Sequence, residues 1–304
     1  MRSPPTSEPA NSPAMSEAAG GTVTWGELWT ETTARLGRPQ ARWVCEVASG
    51  FEGDEFLEIL DRPAGQRGVA HLDAMLQRLA TGEPLQYVLG RWSFRHLDLM
   101  VDRRVLIPRP ETESVVEAAL HLIRSAPMPV ICADLGTGSG AIGLSLAAEL
   151  PVDGVTIWMT DVSDEVLDVA RANATGIGRA ASNVRLAAGP WYDALPAELV
   201  GRLDVIVSNP PYVAVDDPQL EPAVREWEPE LALVAGPEGL DAIRRLVEGA
   251  PAWLRPGGWL VLEIGSMQGD AVRQLLADAG LEAIEIKTDA TGRDRIAIGR
   301  RGGS

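Results

Sequence analysis

The chain has 304 residues, 45% of them apolar, and 27 basic against 43 acidic side chains give a formal net charge of −16. That length exceeds a typical domain of ~100 to 200 residues and predicts two domains, with enough apolar content for a large core. The acidic balance argues against a broad grip on nucleic-acid phosphates, and no run approaches the ~18 apolar residues of a membrane span.

Residues 1–20, "MRSPPTSEPANSPAMSEAAG", are rich in Pro, Ser, Ala and Glu with almost nothing to bury. They predict a disordered tail without the apolar core of a signal peptide, and Met15 is a candidate alternative start. Cys45 and Cys132 are far apart, in apolar surroundings and without CxxC spacing. They read as reduced core thiols of a cytoplasmic protein. His71, His96 and His121 stand apart from one another, which argues against a metal site.

From Thr24 to about Ala80 the pattern is helical. Thr24 and Glu27 fit a capping box, followed by an apolar stripe of Trp25, Leu28, Trp29 and Leu36. Residues 21–82 therefore predict a small helical bundle. Residues 83–112 carry aromatic and branched side chains in short runs, which predict a β-hairpin linker ending in "IPRPETE", where two prolines bracket Arg109 and forbid a helix before Glu111.

Residues 113–304 are expected to form one further domain, in which strand and helix signals alternate from Val130 onward. The strands are "VICADL", "VTIWMT", "VRLAA", "LDVIVS", "GWLVLEI", "LEAIEI" and "DRIAIG". Such alternation builds an α/β domain, a mostly parallel sheet covered by helices on both faces. The two closely spaced final runs predict one antiparallel edge strand.

In such a sheet ligands bind beyond the carboxyl ends of the strands. The first strand runs into Gly136, Thr137, Gly138, Ser139 and Gly140, where alternate glycines let the backbone turn and approach a ligand. Gly138, Gly140 and Gly143 also satisfy GxGxxG, so the loop alone fits a dinucleotide enzyme equally well. Asp161 ends the next strand, where its carboxylate is placed to accept hydrogen bonds from ribose hydroxyls. Trp191, after the third strand, is a candidate wall for an adenine ring or an ordinary core residue. Loop and carboxylate together indicate a nucleoside cofactor, NAD and S-adenosylmethionine being equally served.

The fourth strand ends in Asn209-Pro210-Pro211-Tyr212. Each proline restricts the residue before it to extended geometry and lacks an N–H. The turn thus presents the Asn209 side-chain oxygen and the Pro210 carbonyl as two acceptors for both hydrogens of a planar –NH2 group, with Tyr212 offering a ring face or a hydroxyl. A planar amino nitrogen is a poor nucleophile, and holding it by both N–H groups returns electron density to nitrogen while aiming it at a methyl donor. Glutamine and adenine both carry such a group.

"DLGTGSGAIGLSLA", "MTDVSDEVLDVARANA", "DVIVSNPPYV", "GEPLQYVLGRWSFRHLDLMVDRRVLIPRPETE" and "LEIGSMQGDAV" resemble the HemK/PrmC family over residues 24–299. The resemblance implies a Rossmann-like class I methyltransferase with a seven-stranded sheet that uses S-adenosylmethionine and acts on the side-chain amide nitrogen of glutamine. Its substrate would be the Gly-Gly-Gln loop of class I peptide-chain release factors. It further implies that residues 136–140 line the cofactor, Asp161 holds its ribose, Trp191 lies beside its adenine and Asn209 to Tyr212 bind the substrate amide, Asn209 bordering the cofactor as well. The helical bundle and hairpin would help recognise the release factor, and "EWEPELALVAGPEGL" would border the substrate channel. The chain is expected to be a monomer without direct nucleic-acid binding. Rival readings are glutamine methylation of a ribosomal protein, adenine methylation, or a silent cofactor-binding module, which would need a damaged motif.

Overall fold

The structure is a computed structural model that describes residues 22–289 and 291–303. The tail expected over 1–20 and the start at Met15 lie outside the described residues. The chain divides between Leu89 and Gly90 into two compact units.

The first unit is helical. It comprises α1 (Trp25–Leu36), α2 (Arg38–Ser49), α3 (Gly53–Glu58), α4 (Gln66–Ala80) and the short α5 (Leu85–Leu89). Its start is the expected capping box, with the Glu27 N–H donating to Thr24 Oγ1 at 3.3 Å and the Thr24 N–H donating to Glu27 Oε2 at 2.8 Å. Leu28, Val44, Cys45, Phe56, Leu72 and Met75 fill the core. Burial pushes the Cys45 thiol up to about 11, so it stays a neutral apolar residue.

The stretch 83–112, read as one hairpin linker, is shared between the units. Helix α5 belongs to the first, because Val88 is buried in its core and Arg78 donates to the carbonyls of Tyr87 and Val88 at 2.9 and 3.3 Å. The hairpin proper, β1 (Arg91–Phe94) and β2 (Leu97–Met100), belongs to the second. There Arg95 donates twice to Glu149, at 2.6 and 2.8 Å. Leu97 and Leu99, alternating with exposed residues along β2, face the core.

The second unit continues with α6 (Thr112–Arg124), β3 (Val130–Leu135), α7 (Ala141–Glu149), β4 (Val155–Asp161), α8 (Asp164–Gly176), β5 (Val184–Ala188), β6 (Leu203–Ser208), α9 (Pro222–Trp227), α10 (Asp241–Trp253), β7 (Leu254–Glu263), α11 (Gly269–Asp278), β8 (Leu281–Thr288) and β9 (Asp294–Arg301). Helix α6 begins directly after the two prolines of the "IPRPETE" segment. The seven strands order as β5-β4-β3-β6-β7-β9-β8. All six residues of β6 are buried, which is why it reads as an unbroken apolar run: helices cover both faces of the sheet's centre.

One expectation is corrected. The antiparallel strand is not at the edge: β9 inserts between β7 and β8, antiparallel to both, and β8 forms the edge. The burial pattern gives the reason, since β9 buries four consecutive residues, Ile296 to Gly299, whereas only Leu281 of β8 is buried. The apolar strand takes the covered position and the charged one takes solvent.

Register positions the chemistry. Asp134 of β3 pairs with Val207 of β6, and Ser208 of β6 with Leu262 of β7. Asn209 therefore emerges at the carboxyl edge between the glycine loop on one side and Glu263 on the other.

Candidate active site

The glycine loop is tied down mostly by backbone. The N–H groups of Gly136 and Thr137 both donate to the Thr160 carbonyl, at 2.9 and 2.8 Å. Buried Asp134 accepts from Thr137 Oγ1 at 2.6 Å and from the Gly143 N–H at 2.9 Å, both through Oδ2. Its Oδ1 has no hydrogen-bond partner among the described residues, and burial pushes its carboxyl up to about 6. Glycine is required at two positions of the helix entry. Gly140 has φ +88°, and a Cβ there would meet Leu144 at 2.8 Å; a Cβ on Gly143 would meet Met159 Cγ at 2.5 Å. The third glycine of the motif thus serves packing of α7 on the sheet rather than ligand approach.

Asp161 closes the loop from the neighbouring strand tip. Its Oδ2 accepts from the Gly138 N–H at 3.1 Å and its Oδ1 from the Ser163 N–H at 3.2 Å, leaving a second lone pair on each oxygen. Burial raises its pKa against these bonds. Trp191 sits at φ +50°, and a Cβ on Gly136 would lie 3.2 Å from its ring. Asn173 of α8, which the sequence reading did not single out, donates to the Ser139 carbonyl at 2.8 Å. It also binds both the N–H and the carbonyl of Met100, at 2.7 and 3.0 Å, so it fastens the hairpin to the loop.

The amide end is assembled from side chains. Asn209 Nδ2 donates to Thr112 Oγ1 at 3.1 Å, Thr112 Oγ1 donates to Glu263 Oε2 at 2.6 Å, and Tyr212 Oη donates to Glu263 Oε1 at 3.1 Å. Thr112 is 3% exposed and Glu263 1%, and burial raises the pKa of Glu263 despite these bonds. Burial first, and the Glu263 carboxylate second, hold the Tyr212 phenol well above its ordinary value. Of the two roles considered for Tyr212, its hydroxyl is thus engaged behind the wall, because a buried carboxylate is the stronger acceptor. Gln268 donates to the Tyr212 carbonyl at 3.0 Å and to the Gly239 carbonyl at 3.1 Å, clamping the proline turn to the loop that follows it.

That loop, 213–240, folds back over the strand tips. Val213 exchanges backbone bonds of 2.9 Å with Leu233 and Ala235. Buried Glu228 accepts from the Ile107 N–H at 3.1 Å and from Arg109 at 2.5 Å, which pins the "IPRPETE" segment against it. Arg103 lies 4.1 Å above the Trp227 ring.

Between these walls is a cavity of about 790 Å³. Gly136 to Ser139, Asp161, Trp191, Asn209 and Pro211 line it, as do Pro108 and Thr112 on one side and Leu231 and Val234 of the 213–240 loop on the other. Gly140, Pro210 and Tyr212 are not among its lining residues. The missed residues Thr112 and Glu263 had one legible signal: Glu263, like Asp161, is an acid at the carboxyl tip of an apolar strand.

The donor set fits an adenosine-bearing cofactor. A carboxylate with free lone pairs, an indole and the apolar side chains of Ile142 and Val162 surround a space in the usual range of ligand pockets, roughly 300 to 1,000 Å³. The sheet order with its inserted antiparallel strand, the cavity over its carboxyl edge and the Asn-Pro-Pro-Tyr tip beside the glycine loop define an S-adenosylmethionine-dependent methyltransferase.

Residues 119–224 match the family model described as Methyltransferase small domain. The release factor glutamine methyltransferase of Xylella fastidiosa (strain 9a5c) is 46% identical over 273 residues, covering 90% of this chain and 96% of that protein. That of Neisseria gonorrhoeae is 42% identical over 268 residues, covering 88% and 94%. Among solved structures, the hMettl16 catalytic domain in complex with the MAT2A 3′UTR hairpin 1 superposes with a TM-score of 0.54 at 18% identity, covering 72% of this chain and 79% of that one, a likeness of fold alone. The chain belongs to the release factor glutamine methyltransferase family, as its resemblance to HemK/PrmC implied. No helix among the described residues is long and apolar enough to cross a membrane.

Proposed function

We propose that this enzyme methylates the side-chain amide nitrogen of the glutamine in the Gly-Gly-Gln motif of class I release factors. The observation that carries the reading is Asn209. Its Nδ2 is committed to Thr112, so the carboxamide meets the cavity with an acceptor, Oδ1, beside the glycine loop.

S-adenosylmethionine, when bound, supplies a methyl group on a positively charged sulfur and leaves as S-adenosylhomocysteine. Gly136 to Ser139, Asp161, Trp191 and the cavity side of Asn209 would hold it. Asn209 Oδ1 accepts one hydrogen of the substrate –NH2. The Pro210 carbonyl, which has no backbone partner among the described residues, accepts the other. Both acceptors raise electron density on an otherwise weak nucleophile and fix its direction, a contribution of order 7–11 kcal/mol for well-oriented reactants. As the N–C bond forms, nitrogen becomes cationic and acidic, and its extra proton passes to water without a strong base. The two prolines restrict the backbone of the turn, and Tyr212 supports it from behind through Glu263.

Pro108 and Leu231 add apolar surface to the cavity lining, which a peptide segment can cover. The net charge of −16 supports a protein substrate in the same way, because duplex binding needs phosphate neutralisation. The helical unit is assigned to release-factor recognition, and the enzyme to the cytoplasm as a monomer without direct nucleic-acid binding. Incubation of unmodified release factor with methyl-labelled S-adenosylmethionine, followed by peptide mass spectrometry, should place one methyl on the Gly-Gly-Gln glutamine. Label on DNA or on a ribosomal protein, with none on the release factor, overturns the assignment.

A further inference from the structure

We propose that Thr112 and Glu263 are positioning residues that lock the Asn209 carboxamide with its oxygen toward the substrate. The inference rests on the amide-methylation reading above.

An asparagine carboxamide is nearly symmetric in shape, and turning it over would present two donors where the reaction needs an acceptor. Hydrogen-bond logic removes the ambiguity. An ionised Glu263 can only accept, so the Thr112 hydroxyl, 2.6 Å from Oε2, must give it its proton. The single hydroxyl hydrogen is then used, so Thr112 Oγ1 can only accept from Asn209 at 3.1 Å. The group facing Thr112 is therefore the –NH2, and the oxygen is left for the cavity. Asn209 Oδ1 has no protein partner and is not buried among the described residues, as an acceptor waiting for substrate should be. The relay holds only while its first member is a carboxylate. A protonated Glu263 gives a hydrogen to Thr112, frees the threonine hydrogen to point at Asn209, and so favours the wrong face of the carboxamide.

The groups facing Glu263 come from three segments. Thr112 and Glu111 stand at the start of α6, Tyr212 follows β6, and Arg295 of β9 reaches to 3.5 Å from the Tyr212 hydroxyl. Thr112, Tyr212 and the Arg295 charge favour the carboxylate, whereas burial and Glu111 oppose it, so the carboxylate titrates above its ordinary value. Turnover should accordingly fall on the acid side as Glu263 takes up a proton.

The test uses the full-length enzyme with unmodified release factor, reading kcat, the affinity for S-adenosylmethionine and the pH profile. Thr112→Val keeps the shape and removes the hydroxyl; Thr112→Ser restores it. Thr112→Val should lower kcat roughly 100-fold, the loss expected when a reacting group is misaligned by about 1 Å, with cofactor affinity unchanged, and Thr112→Ser should recover most of it. Glu263→Gln should lose the acid limb seen in the wild type, a readout that survives if Thr112→Val does not fold. Equal kcat for Thr112→Val and wild type, or an acid limb retained in Glu263→Gln, overturns the inference while leaving the amide-methylation reading intact. Failure of the wild-type enzyme to label the release factor breaks that reading instead.

Discussion

The two halves of the cavity are built in opposite ways. The cofactor half is mostly backbone and local sequence: within residues 136–140, the N–H groups of Gly136, Thr137 and Gly138 donate to the Thr160 carbonyl and the Asp161 carboxylate of one adjacent strand. The amide half is a side-chain assembly, in which Asn209, Thr112, Glu263 and Tyr212 come from segments up to 151 positions apart. Binding a conserved shape such as adenosine needs a stable concavity, which backbone supplies. Directing a hydrogen-bond acceptor at one nitrogen needs orientation, which only buried side chains with assigned donors and acceptors supply.

Substitutions can separate the halves. Asn209→Ala removes the acceptor and should cut kcat by ~100- to 1,000-fold, the scale of a lost transition-state contact, with the dissociation constant for S-adenosylmethionine nearly unchanged by calorimetry. A parallel loss of cofactor affinity would show that the halves are not independent. Gly239→Ala attacks the amide half through its support. At φ +69° a Cβ would lie 2.3 Å from the Tyr212 carbonyl, so the proline turn must move, and denaturant unfolding should record a loss of roughly 3 kcal/mol.

Asp134→Asn probes the cofactor half through pH. Burial raises the Asp134 carboxyl from 3.8 to about 6, so the folded state holds more protons than the unfolded one between these values. Wild-type stability falls as pH rises through that window, and above it the full cost, about 3 kcal/mol, is present. The variant lacks this term, so its stability relative to wild type should increase from pH 4 to 6 and then level off in chemical denaturation. A constant difference would mean that Asp134 does not titrate there. Asp161→Ala should weaken S-adenosylmethionine binding by roughly 10- to 100-fold, as for lost bonds to a charged acceptor, while kcat at saturating cofactor changes little. The smallest effect is expected from Arg109→Ala. Its guanidinium is partly exposed, so about 1 kcal/mol is lost, visible as a raised KM for the release factor as Glu228 loses one of its two donors.

The strands of the sheet's centre were legible because parallel strands covered on both faces must be apolar throughout, as "LDVIVS" and "VICADL" are. The place of β9 was not, since chain order gives no hydrogen-bond partner; the alternation of buried and exposed residues decides which of two neighbouring runs sits inside. Residues 83–89 read as part of a hairpin because branched and aromatic residues suit strands, yet one helical turn forms there, fixed by packing of Val88 and by Arg78. The glycine loop and the Asn-Pro-Pro-Tyr turn are contiguous stretches whose geometry follows from their own residues, and Asp161 ends an apolar strand, so each was legible as a candidate. For Tyr212 the sequence leaves a ring face and a hydroxyl as alternatives, because Glu263 lies 51 positions away and nothing local announces the pair.

The sequence by itself determined the alternating architecture, the glycine loop at the first strand tip and the rigid Asn-Pro-Pro-Tyr turn at the fourth, because backbone constraint and apolar periodicity act over a few residues. Only the tertiary structure decided which side chains Asn209 meets, Thr112 directly and Glu263 through it. A hydrogen-bond relay from Asn209 through Thr112 to Glu263 exists only once α6, β6 and β7 are side by side and water has been excluded from between them.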